Sequence, residues 1–239
     1  MKKFFLSFLT FMLLLCSLPY QVVLADELEL PAQSAIAVEA DTGKILYEKD
    51  SEKKRDVGGL STLLTTYLIF EAIHEKKLSL KDPIKLSEKA LALNDIEGAG
   101  TLPMEANQYT VEQLLTALLV GNSSTAALAL AEKVGGSEKS FVEKMKQKLS
   151  EWGIQSPHLI NATGLNTQTI SGDPDGKGDE NQLSAYDIAV IAKHLLQDFP
   201  EVTKYTSKPT ALFSNTQIEN PNLMLEGMPN YRSGVDGLR

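Results

Sequence analysis

The fold of this protein is decided by one stretch, Gly59-Leu60-Ser61-Thr62-Leu63-Leu64-Thr65-Thr66-Tyr67-Leu68-Ile69-Phe70-Glu71-Ala72-Ile73. Apolar residues recur at positions 60, 63, 64, 67, 68 and 72, which is the spacing of one face of an α-helix. Ile69, Phe70 and Ile73 add apolar groups on the other side. The pattern therefore predicts a central helix that is buried on most of its surface.

A β-hairpin is predicted before this helix. The segment from Ser34 to Glu39 alternates and is rich in apolar residues, Asp41-Thr42-Gly43-Lys44 is a turn sequence, and Ile45-Leu46-Tyr47 resumes the apolar pattern. Two strands alone do not form a stable sheet. The hairpin must therefore be supported by other parts of the chain.

Several more helices are predicted after the central one, from capping residues and apolar periodicity. They begin at Ser87, at Thr110 in a capping-box sequence, at Ser123, at Ser137 and at Ser184. Four aromatic residues are predicted to lie in the core, namely Phe141, Trp152, Tyr186 and Phe199. The pattern as a whole predicts a hairpin, a helical middle of five or six helices and a loop-rich end.

The first 25 residues have the pattern of a secretory signal peptide. Lys2-Lys3 precedes an apolar run from Phe4 to Leu15, and Val23 and Ala25 occupy the −3 and −1 positions of a cleavage site. Cleavage after Ala25 would leave residues 26–239, a length that suits one domain. We therefore expect an exported protein. The alternative is that the apolar run remains as a signal anchor.

The net charge of the chain is −8. It becomes −10 without the first 25 residues, whose only charged groups are Lys2 and Lys3. Such an acidic protein has no electrostatic basis for binding nucleic acid. The chain has a single cysteine, Cys16, so no disulfide is expected in residues 26–239. No transmembrane helix is expected in those residues either.

No metal or cofactor site is expected. The three histidines, His74, His158 and His194, lack the spacing of metal ligands and a convincing Ser or Asp partner. The segment Asp173 to Glu180 is similar to a calcium-binding loop, but the fifth position is Lys177 and the twelfth is Ser184. We interpret this segment as a solvated acidic loop.

The central stretch, together with Ile36 to Tyr47 and Asn161-Ala162-Thr163-Gly164-Leu165, resembles the serine D-alanyl-D-alanine carboxypeptidases, the low-molecular-weight penicillin-binding proteins. In that family the central helix opens with S-x-x-K, followed by two aliphatic residues and Thr. Here Leu63-Leu64-Thr65 sets the register. The resemblance therefore places Gly59 at the position of the nucleophilic Ser and Thr62 at the position of the Lys.

The family's second motif, S-x-N, follows an apolar run that matches Leu118-Leu119-Val120. This match places Asn122 at the Ser position and Ser124 at the Asn position. The resemblance implies that both residues are substrate-binding groups. The alternative is that Asn122 or Ser123 only caps the next helix, as such residues commonly do.

The third motif, K-T-G, usually follows Val-Asp-Gly-Leu in the family. The chain ends in Val235-Asp236-Gly237-Leu238-Arg239, which places Arg239 at the Lys position. Arginine can hold a substrate carboxylate, so the resemblance implies that Arg239 is a third substrate-binding residue. The Thr and Gly of the motif are not present.

Two other serines are candidates to replace the missing nucleophile. Ser61 lies two residues after Gly59, roughly 200° around an α-helix, and would point away from the cleft. Ser51 and Lys54 form the one literal Ser-x-x-Lys sequence, in a charged loop. We interpret that match as a coincidence.

The resemblance implies an α+β fold of the β-lactamase/transpeptidase-like class, in which an antiparallel sheet is flanked by helices and accompanied by a large helical subdomain. It also implies that strands completing the sheet are missing and that the domain is truncated. The family's ligands are peptidoglycan stem peptides and β-lactams, and its location is the cell-wall space.

Three hypotheses follow for function. The first is a D-Ala-D-Ala carboxypeptidase that acts through an acyl-enzyme. The second is a secreted pseudoenzyme that binds peptidoglycan peptides or a protein. The third is the remnant of a truncated gene. Because Gly59 and Thr62 replace the reactive pair of the family, we expect catalysis to be impaired.

Overall fold

The computed structural model describes residues 30–96, 102, 104–172, 177–235, 237 and 238. Three sequence predictions lie outside these residues. They are the signal peptide at residues 1–25, the start of the acidic loop at residues 173–176, and Arg239.

The predicted hairpin is present. Strands β1 (Ala35–Val38) and β2 (Ile45–Lys49) pair antiparallel, with Ala35 opposite Lys49 and a bulge between Ala37 and Val38. The turn is closed by backbone hydrogen bonds between Glu39 and Lys44 and between Gly43 and Glu39. Gly43 has a φ of +73°, a conformation that costs glycine little.

The predicted central helix is α1 (Thr62–His74), and ten of its thirteen residues are buried. It begins later than predicted, because Gly58–Ser61 forms a tighter 3₁₀ turn instead of the first α-helical turn. Such turns are frequent at the ends of α-helices. The helix packs against three others, α4 (Ser124–Gly135), α5 (Glu138–Glu151) and α7 (Ala185–Asp198).

The remaining helices confirm the predicted starts. Ser87, Ser123 and Ser137 each cap a helix by accepting a hydrogen bond from a backbone N–H. Thr110 and Ser184 form full capping boxes with the residues three positions later. The other helices are α2 (Glu88–Ala92), α3 (Val111–Leu119), α6 (Thr167–Ser171) and α8 (Thr203–Thr206), with 3₁₀ turns at Leu93–Asp95 and Pro200–Val202.

The strands of the described residues form four two-stranded antiparallel ladders. One is the β1–β2 hairpin. The other three join β3 (Arg55–Asp56) to β6 (Gln182–Leu183), β4 (Pro83–Lys85) to β5 (Gln108–Thr110), and β7 (Thr210–Phe213) to β8 (Thr216–Glu219). This mixture of helices and antiparallel strands confirms the predicted α+β class.

The core between α1, α5 and α7 is rich in aromatic rings. Tyr67 meets Trp152 edge-on with the ring centroids 4.7 Å apart, and it also contacts Phe199 at 5.0 Å. Trp152 stacks on His194 at 4.2 Å. Aromatic pairs at these distances are favourable beyond the area they bury.

One predicted core aromatic is on the surface. Tyr186 is 44% exposed, whereas Phe141 and Phe199 are buried as predicted. The reason is helical phase: α7 buries Asp187, Ile191 and Leu195, which recur every four residues on one face. Tyr186 lies about 100° away from Asp187 around the helix.

Candidate active site

The turn that leads into α1 and the first residue of that helix contain Gly59 and Thr62, the two positions that the resemblance assigns to the family's reactive pair. Gly59 has no side chain, and the hydroxyl of Thr62 donates a hydrogen bond of 2.8 Å to the backbone carbonyl of Gly59. Thr62 is buried. Neither residue offers an ionisable group, so the pair has no base to activate a hydroxyl nucleophile.

The neighbouring serine does not replace the nucleophile. Ser61 is fully buried, and its hydroxyl donates to the carbonyl of Gly58 at 2.8 Å. The same hydroxyl accepts a hydrogen bond of 2.8 Å from the side-chain amide of Asn181. The Ser61 hydroxyl is therefore buried and bonded on both sides, which leaves it unavailable as a nucleophile.

The literal Ser-x-x-Lys sequence is not a reactive pair either. Ser51 donates a hydrogen bond of 2.7 Å to the carboxylate of Glu48. Lys54 forms an ion pair with Asp187, with the ammonium nitrogen 2.6 Å from the carboxylate oxygen. Because each side chain binds a different carboxylate, the sequence match has a structural explanation that involves no catalysis.

The junction between α3 and α4 contains Asn122 and Ser124, the two positions that the resemblance assigns to the second motif. Asn122 has a φ of +54°, the left-handed conformation that Asn adopts more readily than most residues. Ser123, not Asn122, caps α4 by accepting from the N–H of Ala126 at 3.2 Å. Ser124 is the first residue of the helix and is buried.

Thr62 and Asn122 meet at one small cavity of about 50 Å³. Gly237 and Leu238 also line it, so the end of the chain lies beside the first two motifs. Ser124 is not among its lining residues. The other described residues of the lining are Leu63, Thr66, Leu118, Leu119, Val120, Thr206, Asn220, Pro221 and Asn222.

The chemistry of this cavity is polar but uncharged. Its described lining contains the amides of Asn122, Asn220 and Asn222, several hydroxyls and aliphatic side chains, with no charged side chain. The Asn220 amide already bonds to the backbone of Thr206, Lys208 and Asn222, and the Asn222 side-chain oxygen accepts from the N–H of Met224. Sequence reasoning did not find Asn220 or Asn222, because they lie in an irregular segment without a recognisable motif. Groups of this kind can donate to and accept from a peptide backbone.

Comparison with known proteins assigns the family. The family model described as peptidase S11, D-alanyl-D-alanine carboxypeptidase, matches residues 21–239. The chain belongs to the D-alanyl-D-alanine carboxypeptidase family. This family acts in peptidoglycan metabolism.

Individual relatives agree with this assignment. The D-alanyl-D-alanine carboxypeptidase DacF of Bacillus subtilis is 32% identical over 219 residues, which cover 90% of this chain and 51% of that protein. The crystal structure of a peptidoglycan synthesis regulatory factor (PBP3) from Streptococcus pneumoniae is 47% identical with a TM-score of 0.84, over 88% of this chain and 60% of that one. The predicted β-lactamase/transpeptidase-like fold is therefore confirmed.

A third relative was crystallised with a β-lactam. Penicillin-binding protein D2 from Listeria monocytogenes, in its cefotaxime-bound form, is 26% identical with a TM-score of 0.74, over 90% of this chain and 81% of that one. The present chain nevertheless spans only about half the length (51%) of DacF.

Outside the cavity, each histidine of this carboxypeptidase-family chain faces one carboxylate. For His158 and His194 that carboxylate belongs to an Asp, so the expectation that the histidines have no Asp partner is wrong for these two. His74 lies 2.5 Å from Glu201, His158 lies 2.8 Å from Asp179, and His194 lies 3.6 Å from Asp198. The hydrogen bond from His158 lowers the pKa of Asp179. His74 and Glu201 are 127 residues apart in sequence, so only the fold brings them together. His194 and Asp198, in contrast, are i,i+4 neighbours on α7.

The histidine pairs do not build a metal site. Among the described residues, no group of three or more His, Cys, Asp or Glu side chains could hold a metal ion. None of the three histidines lines the small cavity. In the same part of the chain, no helix is long and apolar enough to cross a membrane.

Proposed function

We propose that this chain is a non-hydrolysing member of the D-alanyl-D-alanine carboxypeptidase family, and that its cleft binds peptidoglycan stem peptides without cleaving them. The observation that carries the proposal is the hydrogen bond between the Thr62 hydroxyl and the Gly59 carbonyl. It ties up the one hydroxyl of the motif, beside a position that has no side chain.

The loss of a nucleophile is too large an energetic effect for a minor rearrangement to offset. Removing the nucleophile of a serine protease lowers turnover by about 10⁶-fold, or roughly 8 kcal/mol of transition-state stabilisation. Ser61 and Ser51 are the obvious replacements, and both are bonded to other groups. Among the described residues that line the cavity, none has a charged side chain that could act as the base for a replacement nucleophile.

The same site keeps groups suited to binding. Asn122 lines the cavity beside Thr62, and in this proposal its amide contacts the peptide backbone of the ligand. In the sequence, Ser124 and Arg239 stand at the other motif positions, and the proposal assigns them further ligand contacts, with Ser124 outside the lining of the small cavity. Arg239 would bind the terminal carboxylate of the stem peptide.

The proposal includes an extracytoplasmic location, in the cell-wall space where the family's substrate occurs. The charged start, apolar run and small residues up to Ala25 support export and removal of residues 1–25. The mature domain would then be residues 26–239. Sequencing the N-terminus of the protein recovered from culture medium or cell wall tests this part, with Asp26 expected as the first residue.

Intact-mass analysis after incubation with benzylpenicillin tests the catalytic part. We expect the natural protein to gain no mass. We expect Gly59→Ser/Thr62→Lys to gain one penicillin, because the nucleophile and its base return to one face of the helix. The matched control is Gly59→Ala/Thr62→Lys, which has the ammonium group without the hydroxyl and should gain nothing.

An adduct on the natural protein would overturn the proposal, because it would reveal a nucleophile other than residue 59. Equal labelling of the two double variants would have the same meaning. Binding is tested separately by calorimetric titration with a stem pentapeptide ending in D-Ala-D-Ala. Heat of binding without release of D-alanine is the expected result, and the absence of binding would contradict the proposed ligand.

A further inference from the structure

The turn that holds residue 59 is supported from behind by a buried polar segment. Residues 161–165 lie against Gly58–Ser61, and Gly164 approaches so closely that a Cβ atom there would overlap the carbonyl oxygen of Gly58. One turn further along α1, the hydroxyl of Thr65 donates to the carbonyl of Ala162 at 2.7 Å. The segment therefore contacts both the turn and the helix that follows it.

The segment takes its shape from one side chain. The carboxamide oxygen of Asn161 accepts from the N–H groups of Thr163 at 3.2 Å and Gly164 at 2.7 Å. Its amide nitrogen donates to the carbonyl of Leu165 at 2.7 Å. Asn161 therefore closes a small loop around itself and fixes the path of the segment.

Asn181 joins this segment to the turn. Its side chain is fully buried, and its oxygen accepts from the N–H groups of Ile160 at 2.8 Å and Asn161 at 3.3 Å. Its nitrogen donates to the Asn161 carbonyl at 3.0 Å and to the Ser61 hydroxyl at 2.8 Å. Both donors and both acceptor sites of the amide are used.

The connection continues into the backbone of the turn on two sides. The Ser61 hydroxyl donates a hydrogen bond to the backbone carbonyl of Gly58. The backbone carbonyl of Asn181 accepts from the N–H of Val57 at 3.0 Å. Val57 is therefore bonded to Asn181 itself, and Gly58 is bonded to Ser61, the hydrogen-bond partner of Asn181. None of these hydrogen bonds needs a side chain at position 59.

We propose that Asn181, acting through Ser61, is the positioning residue that sets where residue 59 stands at the start of α1. A buried amide that loses its partner costs more than an exposed one, so the turn cannot rotate away without breaking this network. The framework for the motif position is therefore present although the nucleophile is not. This inference rests on the proposed function only in taking residue 59 as the motif position.

The test places a single thiol at that position. The variant Cys16→Ser/Gly59→Cys has one cysteine in the whole chain, and the backbone of Gly59 is not in the left-handed region, so a side chain fits its conformation. A thiol held at a helix N-terminus has a pKa below its ordinary value of about 8.5. The pH dependence of its alkylation by iodoacetamide measures that pKa.

We expect a lowered thiol pKa in this background, and a return towards about 8.5 when Ser61→Ala or Asn181→Ala is added. The matched control is Thr110→Ala, which removes a capping hydrogen bond at the start of α3 without touching the turn. It should leave the alkylation profile unchanged. The proposal would be overturned if the thiol pKa in the starting variant were about 8.5, or if Ser61→Ala did not change the pH dependence of alkylation.

Amide hydrogen exchange gives a second readout on the otherwise natural protein. Ser61→Ala should speed exchange of the peptide covering residues 57–62 by roughly three- to tenfold, the effect of losing one net hydrogen bond. Thr110→Ala should not change that peptide. Similar acceleration in both variants would mean that Ser61 contributes only to global stability. Neither readout uses penicillin, so failure here is distinct from failure of the proposed function.

Discussion

Gly164 and Gly58 touch through their backbones, at the point where residues 161–165 meet the turn before α1. A Cβ atom at Gly164 would overlap the Gly58 carbonyl oxygen and lie 2.8 Å from the Ser61 hydroxyl oxygen. Gly164 also has a φ of +77°. Space and backbone conformation therefore both require glycine at this position.

We expect Gly164→Ala to lower the free energy of unfolding by about 3 kcal/mol or more, combining overpacking with left-handed strain. The control is Gly153→Ala. Gly153 has a similar φ of +82°, but no atom lies within 4 Å of the position that a Cβ would take there. Gly153→Ala should therefore cost only the left-handed backbone strain of about 1–2 kcal/mol. Urea denaturation measures both, and equal losses would show that the contact with Gly58 carries no cost.

Tyr67 provides a test at alkaline pH. Its burial and its hydrogen bond to Asp198, 2.9 Å long, raise the pKa of the phenol well above the ordinary value of about 10. Above pH 10 the unfolded chain loses this proton while the folded protein keeps it. The free energy of unfolding must therefore fall as pH rises from about 10.

Removing the Tyr67 hydroxyl should make that fall shallower. We expect Tyr67→Phe to lose about 0.5–1.5 kcal/mol at neutral pH and to show a smaller slope between pH 10 and 11.5 in denaturation series. Asp198→Asn keeps the buried phenol but removes its carboxylate neighbour, so its slope should be intermediate. Identical slopes in all three proteins would contradict this assignment.

Two lysines of α5 form ion pairs that differ in number and in burial. Lys148 pairs with Glu71 at 2.7 Å and Glu151 at 2.9 Å, and its side chain is only 17% exposed. Lys146 pairs with Glu143 at 3.0 Å on a more exposed surface. Removing Lys148 leaves the partly buried carboxylate of Glu71 without its cation.

We expect Lys148→Met to cost about 1–3 kcal/mol and Lys146→Met to stay within about 0.5 kcal/mol. The same substitution on the same helix controls for propensity and for side-chain length. Thermal unfolding at low and at moderate salt would measure both. The assignment is wrong if the two variants lose the same stability or if salt removes the difference.

Local features of this protein were predictable because local chemistry determines them. Thr110 and Ser184 form capping boxes with residues three positions away, and the apolar spacing from Leu60 to Ala72 already indicated the central helix. The family resemblance placed Thr62 and Asn122 at motif positions. The structure brings both to one cavity.

What sequence could not provide are contacts between distant, irregular segments. Asn181 lies 120 residues from Ser61, and Asn220 reaches the cavity from a loop-rich end. A single asparagine has no local pattern that distinguishes a buried network from a solvated loop. The error at Tyr186 has a related cause, because the side of a helix that is buried depends on what packs against it.

The junction between α3 and α4 allows capping to be separated from binding. Ser123→Ala removes the cap of α4 and should cost about 1 kcal/mol. Asn122→Gly keeps the left-handed backbone, which glycine adopts readily, but removes the amide from the cavity lining. Ser123→Ala should therefore lower the stability of the protein, while Asn122→Gly should lower its affinity for the ligand.

Titration with the D-Ala-D-Ala pentapeptide measures the second effect. We expect Asn122→Gly to weaken binding by roughly five- to fiftyfold, the loss of one or two hydrogen bonds to a peptide. Ser123→Ala should bind as the natural protein does, provided that both are compared well below their melting temperatures. Unchanged affinity in Asn122→Gly would leave Asn122 with only its backbone role, and the ligand contacts would have to be sought among Asn220, Asn222 and the chain end.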